Sequence, residues 1–189
     1  MAKKLSEDAE KLELHLKYLF EHQVNLKQRI ITIDKDIDSS VFSFIDAALS
    51  ELEAYSRQAI TIRVFSEGGC VYSALAIVGR LKNSKCKIIT EGYGCVMSAA
   101  TLILACGKER RISRYAQFMH HESSYSLEGR HSTVKAGVER AEKDEKLWAK
   151  WMEEFTNKPA KFWLEKGKFI DEYWTAEELI NLGVVDEII

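Results

Sequence analysis

Leu5, Leu12, Leu16, Leu19 and Phe20 fall at helical spacing with charges between them, which predicts an amphipathic helix over residues 5–23. The pattern then changes. Arg29-Ile-Ile-Thr-Ile-Asp34 is β-branched and reads as a strand. Asp38-Ser-Ser opens a helix, with Ser39 or Ser40 as the expected N-cap and Phe42, Ile45, Leu49 and Leu52 facing inward. Ala59 to Phe65 is a strand, broken by Ser66-Glu-Gly-Gly69, and Val71 to Leu81 a helix. Cys86 to Thr90 is the next strand, with Gly92 and Gly94 expected to end it. Met97 to Ala105 follows as a helix rich in small apolar residues, then short strands at Arg110-Arg-Ile and Ala116 to Met119. Alternation of strand and helix over residues 29–119 predicts right-handed βαβ units and a mainly parallel sheet covered by helices.

The second half is more polar. After Ser123 to Ser132, a helix is expected from Thr133 to Phe155, roughly 34 Å long. Val134, Val138, Ala141, Trp148, Met152 and Phe155 form its apolar stripe, interrupted by Glu145. Trp148 and Trp151 suggest an arm that packs on another subunit, because tryptophan is enriched at interfaces. Thr175 to Leu182 reads as a capped helix with Gly183 at its C-terminal stop, and Val184 to Ile189 as a closing strand.

Composition narrows the class. Hydrophobic residues at 46% and a net charge of −2 exclude a disordered chain and a nucleic-acid binder that works by bulk charge. No apolar run reaches the ~20 residues of a membrane span, and Met1 to Lys4 are followed by no signal-peptide core, so a cytoplasmic location is expected. Cys70, Cys86, Cys95 and Cys106 read as free thiols, with no zinc-site spacing among them. There is no P-loop and no HExxH, and Gly92-Tyr-Gly94 has Met97 where a dinucleotide fingerprint needs glycine. No metal or cofactor is expected.

Two strand-to-helix junctions carry candidate chemistry. Gly68-Gly69 allows a sharp turn that leaves N–H groups pointing into a cleft. Ser98 stands at the start of an apolar helix, where it is either a cap or a nucleophile beside N–H groups able to hold an oxyanion. Of the five histidines, His120 and His121 end a predicted strand. Adjacent strand residues face opposite ways, so only one of the two can reach Ser98, and the residues alone select neither it nor an orienting carboxylate.

Taken together, Gln28-Arg-Ile-Ile-Thr-Ile-Asp34, Asp36-Ile-Asp38, Ser66-Glu-Gly-Gly-Cys-Val71, Ala74-Leu-Ala-Ile77, Gly94-Cys-Val-Met-Ser-Ala-Ala100, Gln117-Phe-Met-His-His121, Asp171 to Glu178 and Leu182-Gly-Val-Val-Asp186 form an ordered series. By that order and spacing, residues 28–189 resemble the ClpP-like (caseinolytic) serine proteases, more narrowly the branch carried by phages and mobile elements. The resemblance implies an α/β fold, ClpP/crotonase-like, of repeated βαβ units with a protruding handle helix at about residues 124–156. It implies Ser98 as nucleophile, His121 as general base, Asp171 as orienting carboxylate, and the N–H groups of Gly69 and Ala99 as oxyanion hole. Gly68 and Glu67 fall on the substrate groove.

The activity implied is endopeptidase action through an acyl-enzyme. It would take place inside a homo-oligomeric chamber of stacked heptameric rings, fed with polypeptide by a separate ATP-driven AAA+ unfoldase. The chain itself would bind no cofactor, nucleic acid or membrane. Residues 1–27, read as a helical segment, stand where the family has axial pore loops. Glu67, His120 and Glu122 depart from the family pattern, and a carboxylate beside His121 is expected to favour its imidazolium. These departures motivate one alternative, a catalytically silent ring subunit; a second, a crotonase-type acyl-CoA enzyme on the same core, shares the oxyanion-hole logic and would make Ser98, His121 and Asp171 coincidental.

Overall fold

The computed structural model describes residues 10, 12, 13, 16, 17, 21 and 23–189. Most of the helix expected over residues 5–23 therefore lies outside the described residues; Leu12 and Leu16 are helical and exposed. In chain order the elements are β1 (Val24–Asn25), β2 (Ile30–Ile33), α1 (Ser39–Tyr55), β3 (Ile60–Ser66), α2 (Val71–Lys82), β4 (Ile88–Met97) and α3 (Ala100–Ala105). There follow β5 (Glu109–Ile112), β6 (Gln117–His120), α4 (His131–Phe155), α5 (Ala160–Glu165), β7 (Glu172–Trp174), α6 (Ala176–Leu182) and β8 (Glu187–Ile188).

The strands β1-β2-β3-β4-β5-β8 lie side by side in one mixed sheet, with β6 on β4 and β7 on β6. Pairings from β2 through β5 to β8 are parallel, as the βαβ alternation predicts. Val24 and Asn25, drawn into the N-terminal helical segment, instead form an antiparallel edge strand on β2. The apolar faces of α1 (Ile45, Leu49, Leu52), α2 (Ala74, Ile77, Leu81) and α3 close over Ile31, Ile62, Val64 and Val96.

Several local expectations change. Asp38 caps α1, not Ser39 or Ser40: its carboxylate accepts from the N–H groups of Ser40 and Val41 at 2.8 and 3.0 Å. β4 does not stop at Gly92 and Gly94. It bends there, Gly94 taking φ +57° under the Phe65 ring. The bend lets one strand serve two partners, residues 89–92 pairing with β5 and residues 95–97 with β6. That switch carries the end of β4 alongside the end of β6, which is where the site forms. The helix expected from Met97 begins only at Ala100. The closing strand is shortened to Glu187–Ile188.

α4 enters the core only near its C-terminal end, where Ala149 and Met152 are buried; residues 131–147 include no buried side chain. Trp148 and Trp151, the basis for expecting contact with another subunit, both pack within their own chain. α6 carries the predicted caps, a Thr175/Glu178 capping box and Gly183 in the left-handed region at φ +69°.

Candidate active site

Three strand ends meet at the carboxyl edge of the sheet. β4 delivers Ser98, and its parallel neighbour β6 delivers His121, with Met97 and Met119 in register. Ser98 sits at φ +52°, a left-handed conformation that a side chain makes costly by about 1–2 kcal/mol. Its backbone is held there: its N–H donates to the Met119 carbonyl at 2.9 Å, and its carbonyl accepts from the Thr101 N–H at 3.0 Å and hydroxyl at 2.6 Å. The result is a sharp elbow that lifts Oγ clear of the helix that follows. Ser98 is not a cap.

The Ser98 Oγ lies 2.8 Å from His121 Nε2. On the other side of the ring, Nδ1 lies 3.5 Å from the Asp171 carboxylate. With its proton on Nδ1, facing the carboxylate, the ring offers the Nε2 lone pair to the serine hydroxyl. Asp171 reaches this position because β7 runs antiparallel to β6 with Glu172 opposite His120. The structure thus brings together Ser98, His121 and Asp171.

Gly68 and Gly69 adopt φ +110° and +137°. The turn is fastened to residue 37: the Ile37 N–H donates to the Gly68 carbonyl and the Cys70 N–H to the Ile37 carbonyl, both at 2.7 Å. Gly68 is buried against Ser98. Gly69 and Ala99 line one cavity with Ser98 and His121. Neither of their N–H groups donates to another group among the described residues, which leaves two donors free beside the serine. Glu67, expected in the groove, is exposed and lies outside this lining.

The cavity measures about 500 Å³ and runs from Ser98 along α4. Its far wall, including Glu145, Trp148, Trp163, Leu164 and Lys168, did not come from the sequence reading. One signal was there: Glu145 interrupts the apolar stripe of α4. Burial raises its carboxyl above the usual range, and Glu122 and Glu142 push the same way. Glu122, next to His121, accepts from the backbone N–H of Phe169 at 3.3 Å.

His120 points away from Ser98 and is 3% exposed. Burial holds its imidazole below the ordinary range, outweighing the Trp163 and Lys166 carbonyls and Glu172, which pull it up; His121 adds to the lowering. Below the unfolded value of about 6.5, the unfolded chain takes a proton that the folded chain resists. This contribution to stability is therefore complete above about pH 7 and drains as pH falls toward the lower folded value. His120→Phe, which cannot titrate, is expected to flatten the loss of stability between about pH 7 and 5. Urea midpoints at the two pH values check this; an unchanged slope would count against it. Carboxylates held low by their partners, such as Asp186 beside Arg110, act only in a more acidic window.

All four cysteines are free. Burial pushes the Cys106 thiol up to about 12, so it is no nucleophile at neutral pH. Among the described residues, no cluster of three or more His, Cys, Asp or Glu side chains is placed to hold a metal ion, and no helix is long and apolar enough to cross a membrane.

Comparison with known proteins finds relatives along most of the chain. The family model described as Clp protease matches residues 18–189. The ATP-dependent Clp protease proteolytic subunit 2 of Corynebacterium efficiens is 27% identical over 167 residues, covering 87% of this chain and 83% of that protein. Subunit 1 of Corynebacterium jeikeium is 26% identical over 167 residues, covering 87% and 88%. Subunit 2 of Thermobifida fusca is 27% identical over 169 residues, covering 87% and 82%.

Proposed function

The chain belongs to the Clp protease family, and we propose that it is a serine endopeptidase of the ClpP type. The observation that carries this reading is the 2.8 Å contact between Ser98 Oγ and His121 Nε2, with Asp171 behind the ring. Ser98 Oγ attacks the peptide carbonyl as His121 takes its proton. The carbonyl oxygen, now negative, is held by the N–H groups of Gly69 and Ala99. Collapse of the tetrahedral adduct breaks the C–N bond, and His121 passes its proton to the leaving amine. Water, deprotonated by His121, then attacks the acyl carbon; the ester bond to Ser98 Oγ breaks and His121 returns the proton to Ser98. Asp171 fixes the ring and stabilises the imidazolium formed in each half-reaction.

In this reading the chain works in the cytoplasm as a homo-oligomer of stacked heptameric rings. An AAA+ unfoldase, a separate protein, spends ATP to deliver polypeptide, and the chain itself uses no cofactor. Residues 28–189 form the protease domain, and α4 with the segment before it serves as the handle between rings. The exposed first half of α4 supports that role. The phage-type branch is part of the same proposal. A catalytically silent ring subunit is the second reading, favoured by the 3.5 Å His121–Asp171 separation, longer than a good hydrogen bond.

The test is fluorophosphonate labelling of size-exclusion fractions, with the modified residue mapped by mass spectrometry. Label on Ser98 in a large particle is the expected result. A large particle that takes no label and cleaves no peptide would overturn the peptidase reading in favour of the silent ring.

A further inference from the structure

Beside the base lies a second imidazole that the proton transfers leave unused. Successive strand residues face opposite ways, so His120 points into the interior as His121 points to Ser98. Three indoles from three elements enclose it. Its ring stacks on Trp148 of α4 at 4.8 Å and 5°, and lies nearly parallel to Trp174 of β7 at 6.1 Å and 11°. It meets Trp163 of α5 edge-on at 5.5 Å and 88°. Its Nε2 is 2.9 Å from the Trp163 carbonyl oxygen. A carbonyl only accepts, so Nε2 carries the proton. Nδ1 is buried and has no hydrogen-bond partner among the described residues.

Trp163 and Trp174 bracket, in the chain, the loop that carries Asp171. Both ends of that loop rest on one imidazole. Its middle rests on the histidine pair as well: a Cβ at Gly167 would stand 2.7 Å from His121 Cα and 2.9 Å from the His120 carbonyl oxygen. The Glu122 N–H donates to the Gly167 carbonyl at 3.1 Å, and Lys166 pairs with Glu172 at 3.0 Å. Asp171 pairs with no other charged group among the described residues, and its side chain is half-exposed.

We propose that His120 is a positioning residue: by pinning Trp163 and Trp174 it closes the base of the loop over residues 166–171 and sets the reach of Asp171 to His121. This rests on the reading of Ser98, His121 and Asp171 as a triad. An aliphatic residue of similar size would fill the space, but it would leave the Trp163 carbonyl unbonded and offer the indoles no flat face.

The experiment is a double-mutant cycle on the full chain, following peptide turnover and the rate of fluorophosphonate labelling in wild type, H120L, D171N and H120L/D171N. H120L is expected to lower kcat about 10- to 100-fold with KM little changed, because a misplaced orienting group costs rate more than binding. Combined with D171N it is expected to cost almost nothing further, since both act through one contact. Losses that multiply, or wild-type turnover in H120L, would overturn the proposal. Should H120L fail to fold, His120→Phe carries the cycle, keeping the stacked ring and losing only the Nε2–H donor. A wild-type large particle that takes no label and cleaves no peptide removes the peptidase reading instead. The positioning claim then rests on amide exchange of residues 166–171, which the His120 variant is expected to accelerate about tenfold; unchanged exchange would end it.

Discussion

Ser98→Ala is expected to lower peptide turnover by about four orders of magnitude or more, leaving only what binding and the free N–H groups provide. The fold is expected to survive, because the elbow is held by backbone bonds to Met119 and Thr101 that alanine keeps. A companion substitution separates chemistry from strain. Ser98→Gly is equally inactive, but it relieves a side chain held at φ +52°. It is therefore expected to be more stable than Ser98→Ala by about 1 kcal/mol, the left-handed penalty less the extra chain entropy of glycine. Turnover assays and denaturant unfolding of the two variants check both halves. Peptidase activity in Ser98→Ala would sink the nucleophile assignment. Glycine proving the less stable would mean that the elbow is not strained.

The sheet and the site were legible to different depths. Runs such as Ala59 to Phe65 announce strands through β-branched residues, and the structure places β3 over Ile60–Ser66. β7, three residues long, has no alternation to read; it is a strand only because β6 lies beside it. The glycines of β4 read as an ending, because glycine usually punctuates. Here Gly94 makes the bend that changes partners, which is a tertiary fact. Alternation left His120 and His121 equal on residues alone, and family likeness selected His121, the one the structure sets against Ser98. The enclosure of His120 by Trp148, Trp163 and Trp174 joins four elements distant in sequence, and no local pattern records it.

Gly68→Ala is expected to inactivate the site although Gly68 itself takes no part in the proposed reaction. The backbone at φ +110° is closed to residues with a Cβ. An added methyl would stand 2.6 Å from Ser98 Cβ, 2.8 Å from the Met97 carbonyl oxygen and 3.1 Å from the Ala99 nitrogen. Those neighbours are the proposed nucleophile, the bond leading into it and one proposed oxyanion donor, so whichever yields, the geometry of attack is lost. Displacement by about 1 Å at such a centre costs roughly 100-fold in rate, and the strained backbone about 1–3 kcal/mol of stability. Gly79→Ala is the control. Gly79 lies exposed within α2 with nothing within 4 Å of an added Cβ. There alanine is expected to gain about 0.5–1 kcal/mol from helix propensity and leave labelling of Ser98 unchanged. Labelling rates and melting curves of the two variants distinguish the cases. Wild-type labelling of Gly68→Ala would show that the turn can withdraw from Ser98, and that the close fit of the two strand ends is not what holds the serine in place.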